Sequence, residues 1–157
     1  MTTMNVFPAS MTYKLWLVVL VFSYASEAWA EIVIERPWSR ATIGMSRPGV
    51  AYMKIKNFGN AQITLSDINT EHANQVTIHQ TSTTAEGITS MTPIDRITIN
   101  PGETVSLEPG GLHAMLTGLL LPLKVGESFT LILSFSDGTR TVVDVPILSI
   151  GSRGPES

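Results

Sequence analysis

Four side chains in this 157-residue sequence could act together on a soft metal: His79, Met91, His113 and Met115. Thioether sulfur is a neutral, soft donor that prefers Cu(I), while imidazole accepts copper in both oxidation states as well as zinc. A mixed His/Met set therefore points to Cu(I) first. The sequence holds no cysteine, which excludes structural disulfides, thiolate zinc sites, thiol nucleophiles and a blue-copper electron-transfer centre, since that centre needs a Cys thiolate. In an oxidising compartment a thioether cannot be lost to a disulfide, although it can be oxidised to the sulfoxide.

Strand alternation makes the four residues more than a count. Within residues 75–80 the apolar Val76 and Ile78 take one face, leaving Thr77 and His79 on the other; within 112–117, Leu112, Ala114 and Leu116 take the core face, leaving His113 and Met115 opposite. Residues at i and i+2 of a strand lie about 6.6 to 6.8 Å apart, close enough for an imidazole and a thioether to lean toward one ion. Taken singly, each has an ordinary reading: a methionine fills a β core and a strand histidine is a satisfied polar residue. Among the other candidates, Met53 alternates with Ala51 and Ile55 and reads as core, and His72 reads as solvated. Met45, in the loop before Pro48, is an auxiliary copper contact at most. Trp38 reads as sandwich filler, with packing beneath the site as the alternative, and Arg36, Arg40 and Arg47 as a solvated basic face.

The elements that must position these residues are short segments rich in Val, Ile, Thr and aromatics, separated by Gly, Pro, Asn and Asp clusters. Strands are predicted at 32–38, 49–57, 61–66, 75–80, 96–99, 104–107, 112–117, 129–135 and 139–146. Turn signals include Asn100-Pro-Gly102, Pro109-Gly-Gly111 and the hairpin pair Asp137-Gly138. Eight or nine strands in about 120 residues favour a two-sheet sandwich or a small Greek-key barrel, forming a single domain over residues 31–148 with a flexible tail at 149–157.

Residues 1–30 read as a secretory signal peptide: Lys14 precedes an apolar run of about ten residues, and Ala28 and Ala30 offer a cleavage site. The run is short of the roughly 20 residues that span a bilayer, so no stable membrane insertion is expected after cleavage, with an uncleaved anchor as the alternative. Lys plus Arg is 10 against Asp plus Glu 13, a net charge of −3. That gives no basic field for nucleic acid. Scattered Ser, Asp and His form no nucleophile motif, so the chain does not read as an enzyme.

The spacing carries a family resemblance. Eleven residues separate His79 from Met91 and 21 separate Met91 from His113, and His113-Ala114-Met115 closes the pattern. Together with Pro37-Trp38-Ser39-Arg40-Ala41, Ala51-Tyr52-Met53, Met91-Thr92-Pro93-Ile94, Pro101-Gly102-Glu103-Thr104, Leu107 to Leu116 and Leu121 to Gly126, it resembles the PCu(A)C periplasmic copper chaperones over nearly all of residues 33–146. The resemblance implies an all-β, cupredoxin-like Greek-key β-sandwich with one Cu(I) on His79, Met91, His113 and Met115 at a solvent-accessible edge. It further implies a periplasmic monomer that delivers copper toward the copper-A subunit of cytochrome c oxidase or to a thiol-bearing copper assembly factor. Gln80 follows His79 where relatives often carry Met, and residues 147–157 contain no His or Met, so no spare thioether and no second site on the tail are expected. Copper sequestration for tolerance and a metal-free interaction module are the competing readings.

Overall fold

The computed structural model describes residues 31–155; the expected signal peptide lies outside them. No helix among these residues is long and apolar enough to cross a membrane. Ten strands form: β1 (Ile32–Arg40), β2 (Gly49–Asn57), β3 (Ile63–Asn69), β4 (Ala73–Thr83), β5 (Thr89–Ile94), β6 (Ile97–Ile99), β7 (Thr104–Leu107), β8 (Leu112–Leu119), β9 (Ser128–Phe135) and β10 (Arg140–Leu148). They run in the order β5-β4-β8-β7-β2-β1-β10-β9-β3-β6. A brief parallel pairing of Ser39 and Arg40 with Ile147 and Leu148 joins the six-stranded part to the four-stranded part. The two fold over one core, in which Met53, Ile55 and Leu116 from the first meet Leu65, Leu131, Leu133 and Val145 from the second. The all-β sandwich expected from the sequence is the fold observed.

Period-two burial is clearest in β9 and β10. In β9, Phe129, Leu131, Leu133 and Phe135 are buried while the residues between them are not, so one face drives strand formation by leaving water. β5 departs from that rule and was not among the predicted strands. It is exposed along its length except at Ile94 and contains Pro93, a residue tolerated in sheets only where its missing N–H costs no ladder bond, as on an edge strand. Its place comes from pairing with β4 through the turn at Gly87, whose φ of 82° suits glycine.

β1 changes face part-way along. Ile32 and Ile34 lie opposite Asn57 and Ile55, on the core side, but the register shifts between Glu35 and Trp38, so that Trp38 pairs with Tyr52 and Ser39 with the fully buried Ala51. One extra residue in a strand reverses the facing of everything after it. The shift contains Arg36 at a φ of 49°, in the left-handed region that non-glycine residues rarely occupy. Trp38 therefore does not fill the sandwich, the first of its two expected places; it stands on the outer face of the six-stranded part.

Asn57 ties the two parts of the sandwich together. It is fully buried; its Nδ2 donates to the carbonyls of Ala61 (2.7 Å) and Ile99 (3.2 Å), and its Oδ1 accepts from the amide of Gly59 (3.0 Å). Replacing it by Ala removes all three bonds at once. Asn57→Ala is expected to lower unfolding free energy by about 1–3 kcal/mol, read from the urea midpoint, whereas the exposed Thr98→Ala should change it by no more than about 0.5 kcal/mol.

Candidate metal centre

The four expected ligands share one face because of register. Antiparallel pairing sets His79 opposite His113 and Thr77 opposite Met115 across β4 and β8, and Thr81 opposite Met91 across β4 and β5. Directly opposed residues point to the same side of a sheet, and 77, 79 and 81 share a side of β4. His79, His113, Met115 and Met91 consequently project from the outer face of three neighbouring strands. The facing read from alternation holds for His79, His113 and Met115, and the register adds Met91, whose strand the sequence reading did not contain.

The two imidazoles are held differently. Their ring centroids are 6.0 Å apart with planes inclined at 31°, a spacing of the order spanned by two metal–nitrogen bonds of about 2 Å plus the half-width of each ring. His113 Nδ1 lies 3.1 Å from the Gly111 carbonyl; a carbonyl only accepts, so the proton sits on Nδ1 and the Nε2 lone pair is left for a ligand. In His79, Nε2 lies 3.0 Å from Thr77 Oγ1, while Nδ1 is buried without a hydrogen-bond partner. An orphaned buried nitrogen of this kind costs about 1–3 kcal/mol, a cost that a metal taking the lone pair would remove.

Access is graded across the site. His113 is only 5% exposed, His79 and Met115 are half-buried, and Met91 is 59% exposed at the outer strand. The edge expected to be solvent-accessible is thus open at Met91 and closed at His113. Among the described residues no cluster of three or more His, Cys, Asp or Glu could hold a metal; beside the two imidazoles, the soft donors on the same face are the thioethers of Met91 and Met115.

An aromatic group adjoins the closed end. Gly49 to Ala51 pair with Leu116 to Ala114, and one further step along both strands brings Tyr52 level with His113. Trp38 and Tyr52 are both buried, with centroids 4.5 Å apart, and the Arg40 guanidinium lies 5.7 and 5.8 Å from the two rings. Residues 149–155 turn back along this face: Arg40 Nε donates to the Ser152 carbonyl (2.8 Å) and Arg36 Nη2 to the Pro155 carbonyl (2.9 Å). Arg36 and Arg40 are therefore anchored to the tail, where the sequence had suggested only a solvated face. Alternation alone could not have found this cluster, because the shift in β1 is what turns Trp38 outward.

The remaining candidates separate cleanly. Met53 is core, 1% exposed, as expected. Met45 is exposed in the loop between β1 and β2, outside the three strands that carry the site. His72 is not simply solvated: it packs against Phe129, with ring centroids 5.6 Å apart, and its Nδ1 is buried.

Residues 32–147 match the sequence model of the LpqE-like family, described there as lipoproteins. A protein of Leifsonia xyli subsp. xyli described as a lipoprotein, Lxx21020, is 31% identical over 117 residues, which is 74% of this chain and 69% of that protein. The chain belongs to the LpqE-like family. Among solved structures, the copper(I) form of DR1885 from Deinococcus radiodurans superposes with a TM-score of 0.58 at 29% identity, covering 80% of this chain and 83% of that one. The apo PCuAC domain of PmoF2 gives 0.66 at 21% identity, covering 82% and 98%, and its copper-bound form gives 0.63 at 24% identity, covering 75% and 92%. The LpqE-like chain thus has the fold of the PCu(A)C domains that its sequence resembles.

Burial raises the pKa of the Tyr52 phenol, an effect reduced by the neighbouring Arg40 charge. Because the folded state holds this proton more tightly than the unfolded chain, the linked stability is complete below the ordinary tyrosine value of about 10 and is lost as pH rises through the folded value. An ultraviolet pH titration, taken as the difference from Tyr52→Phe to remove Tyr13 and Tyr24, should show Tyr52 ionising above pH 10, and higher still in Arg40→Met.

Proposed function

We propose that this chain is a copper carrier of the cell envelope that binds one Cu(I) through His79, His113, Met91 and Met115. The observation that carries the reading is the register placing two imidazoles and two thioethers on one face of β5, β4 and β8. The donor chemistry supports it, since neutral thioether and imidazole ligands favour Cu(I) over harder ions. The likeness to copper-bound PmoF2 and copper(I) DR1885 domains supports it from a different direction. A lipoprotein relative fits work outside the cytoplasm, and we place the chain in the periplasm after export by its N-terminal segment.

Neutral, partly exposed ligands suit a carrier. A buried thiolate cage would hold copper against exchange; here the outermost ligand, Met91, can be displaced first by an incoming donor, then Met115, with the anchored His113 last. Delivery toward the copper-A subunit of cytochrome c oxidase, directly or through a thiol-bearing assembly factor, is the purpose we assign. The domain acts as a monomer that transfers a metal and performs no bond-making reaction of its own.

Ag(I), a redox-inert stand-in for Cu(I), should bind with a stoichiometry of one in isothermal titration. The double variant His113→Ala, Met115→Ala should lose at least about tenfold in affinity for Cu(I) against a chelator, and wild-type affinity in that variant would overturn the ligand assignment. Deleting the gene separates delivery from sequestration. Delivery gives an oxidase defect rescued by added copper, and sequestration gives copper sensitivity with normal oxidase.

A further inference from the structure

The site opens where the sheet is unpaired. β5 is the last strand on its side of the ladder, and the direction of its free backbone groups follows from one bond: Thr81 N–H donates to the Gly111 carbonyl, 3.1 Å away on the β8 side. Backbone groups alternate sides along a strand, so the odd residues of β4 address β8 and the even residues address β5. Ser90, Thr92 and Ile94, opposite Ser82, Gln80 and Ile78, therefore spend their backbone groups on β4. The bond from Thr84 N–H to the Ile88 carbonyl (2.9 Å) continues the same parity. Thr89, Met91 and Pro93 are left with their backbone groups facing outward. Met91 thus presents a free N–H and C=O on the edge while its thioether stands on the ligand face.

Protein edges are normally blunted by lysines, bulges or coverage. Among the described residues β5 has none of these: its sequence, TSMTPI, carries no charge, and its register with β4 is unbroken. Its single protection is Pro93, which removes one outward donor. Self-pairing is disfavoured by that same residue, because a two-fold pair centred on Met91 sets Thr89 of each copy against Pro93 of the other and forfeits a bond on both sides.

We propose that β5 is the docking edge for copper exchange: an extended segment of the partner protein adds as a further strand beside β5, with a soft donor, thiolate or thioether, directly opposite Met91. Strand addition uses main-chain bonds for affinity and alternate side chains for specificity. The residue opposite Met91 projects on the ligand face, so register alone brings the incoming sulfur to the most exposed ligand. A partner thiol loses its proton to solvent as its sulfur bonds copper, the Met91 sulfur leaves, and the metal stays Cu(I) throughout. The inference rests on the copper reading above but makes a separate demand on the backbone at residues 89–93.

The test uses the Ag(I)-loaded chain and a synthetic nine-residue peptide of alternating threonine and valine with one central cysteine. Amide hydrogen exchange should slow at Met91 and Thr89 on adding the peptide. Thr89→Pro, which removes an outward N–H that makes no bond to β4, should weaken peptide binding about fivefold or more and slow Ag(I) transfer while leaving Ag(I) affinity unchanged. Transfer at the wild-type rate in Thr89→Pro, or no protection at Met91, overturns edge docking and leaves the copper site standing. Protection of Met91 without peptide, together with a dimer in sedimentation, also overturns it in favour of self-pairing. Failure of the wild-type chain to bind Ag(I) removes the copper reading and this proposal with it.

Discussion

Slide β4 by one residue against β8 and the site disappears. His79 would then face the core, Ile78 would stand beside His113 on the outside, and the two imidazoles would be separated by the thickness of the sheet. What prevents the slip is the burial of Ile78, Ala114 and Leu116 on the inner face, each side chain worth more inside than out by an amount that grows with its apolar area. The apolar half of each strand therefore fixes where the chemically active half stands. The same pairing, continued from β4 to β5, adds Met91.

The outer face is organised in its own right. On most sandwich proteins one sheet face goes to the core and the other to water, yet here Trp38, Tyr52 and His113 are all buried on the outside. A single extra residue in β1 turns Trp38 outward to stack on Tyr52, Arg40 lies against both rings, and residues 152–155 are tied over the same strand by bonds from Arg36 and Arg40. His113 thus stands at the rim of a dry, packed patch and Met91 at a bare strand edge. One end of the site is shielded while the other is open, an asymmetry that suits the proposed binding and release.

Much of this was legible in the sequence. Alternation in 75–80 and 112–117 gave the correct facing of His79, His113 and Met115, because the apolar Ile78, Ala114 and Leu116 mark the inner face of those strands. β5 was not legible for the opposite reason: it is exposed nearly throughout and carries a proline, so it lacks the hydrophobic period that marks a half-buried strand, and only its turn at Gly87 and its run of Thr, Ser and Ile hinted at a hairpin. Which of its two expected places Trp38 takes was not legible, because an inserted residue with a left-handed backbone at Arg36 leaves no mark in the alternation. The predicted strand at 61–66 began two residues early and stopped three short of Asn69, where pairing with β9 and not local pattern decides the end.

The proposed donors are two nitrogens and two sulfurs, converging on one ion from three strands. X-ray absorption at the copper edge of the Cu(I)-loaded chain counts them directly. The expected result is a first shell of two sulfur and two nitrogen scatterers, with the multiple-scattering pattern of imidazole. A shell of nitrogen and oxygen alone, without sulfur, would contradict it.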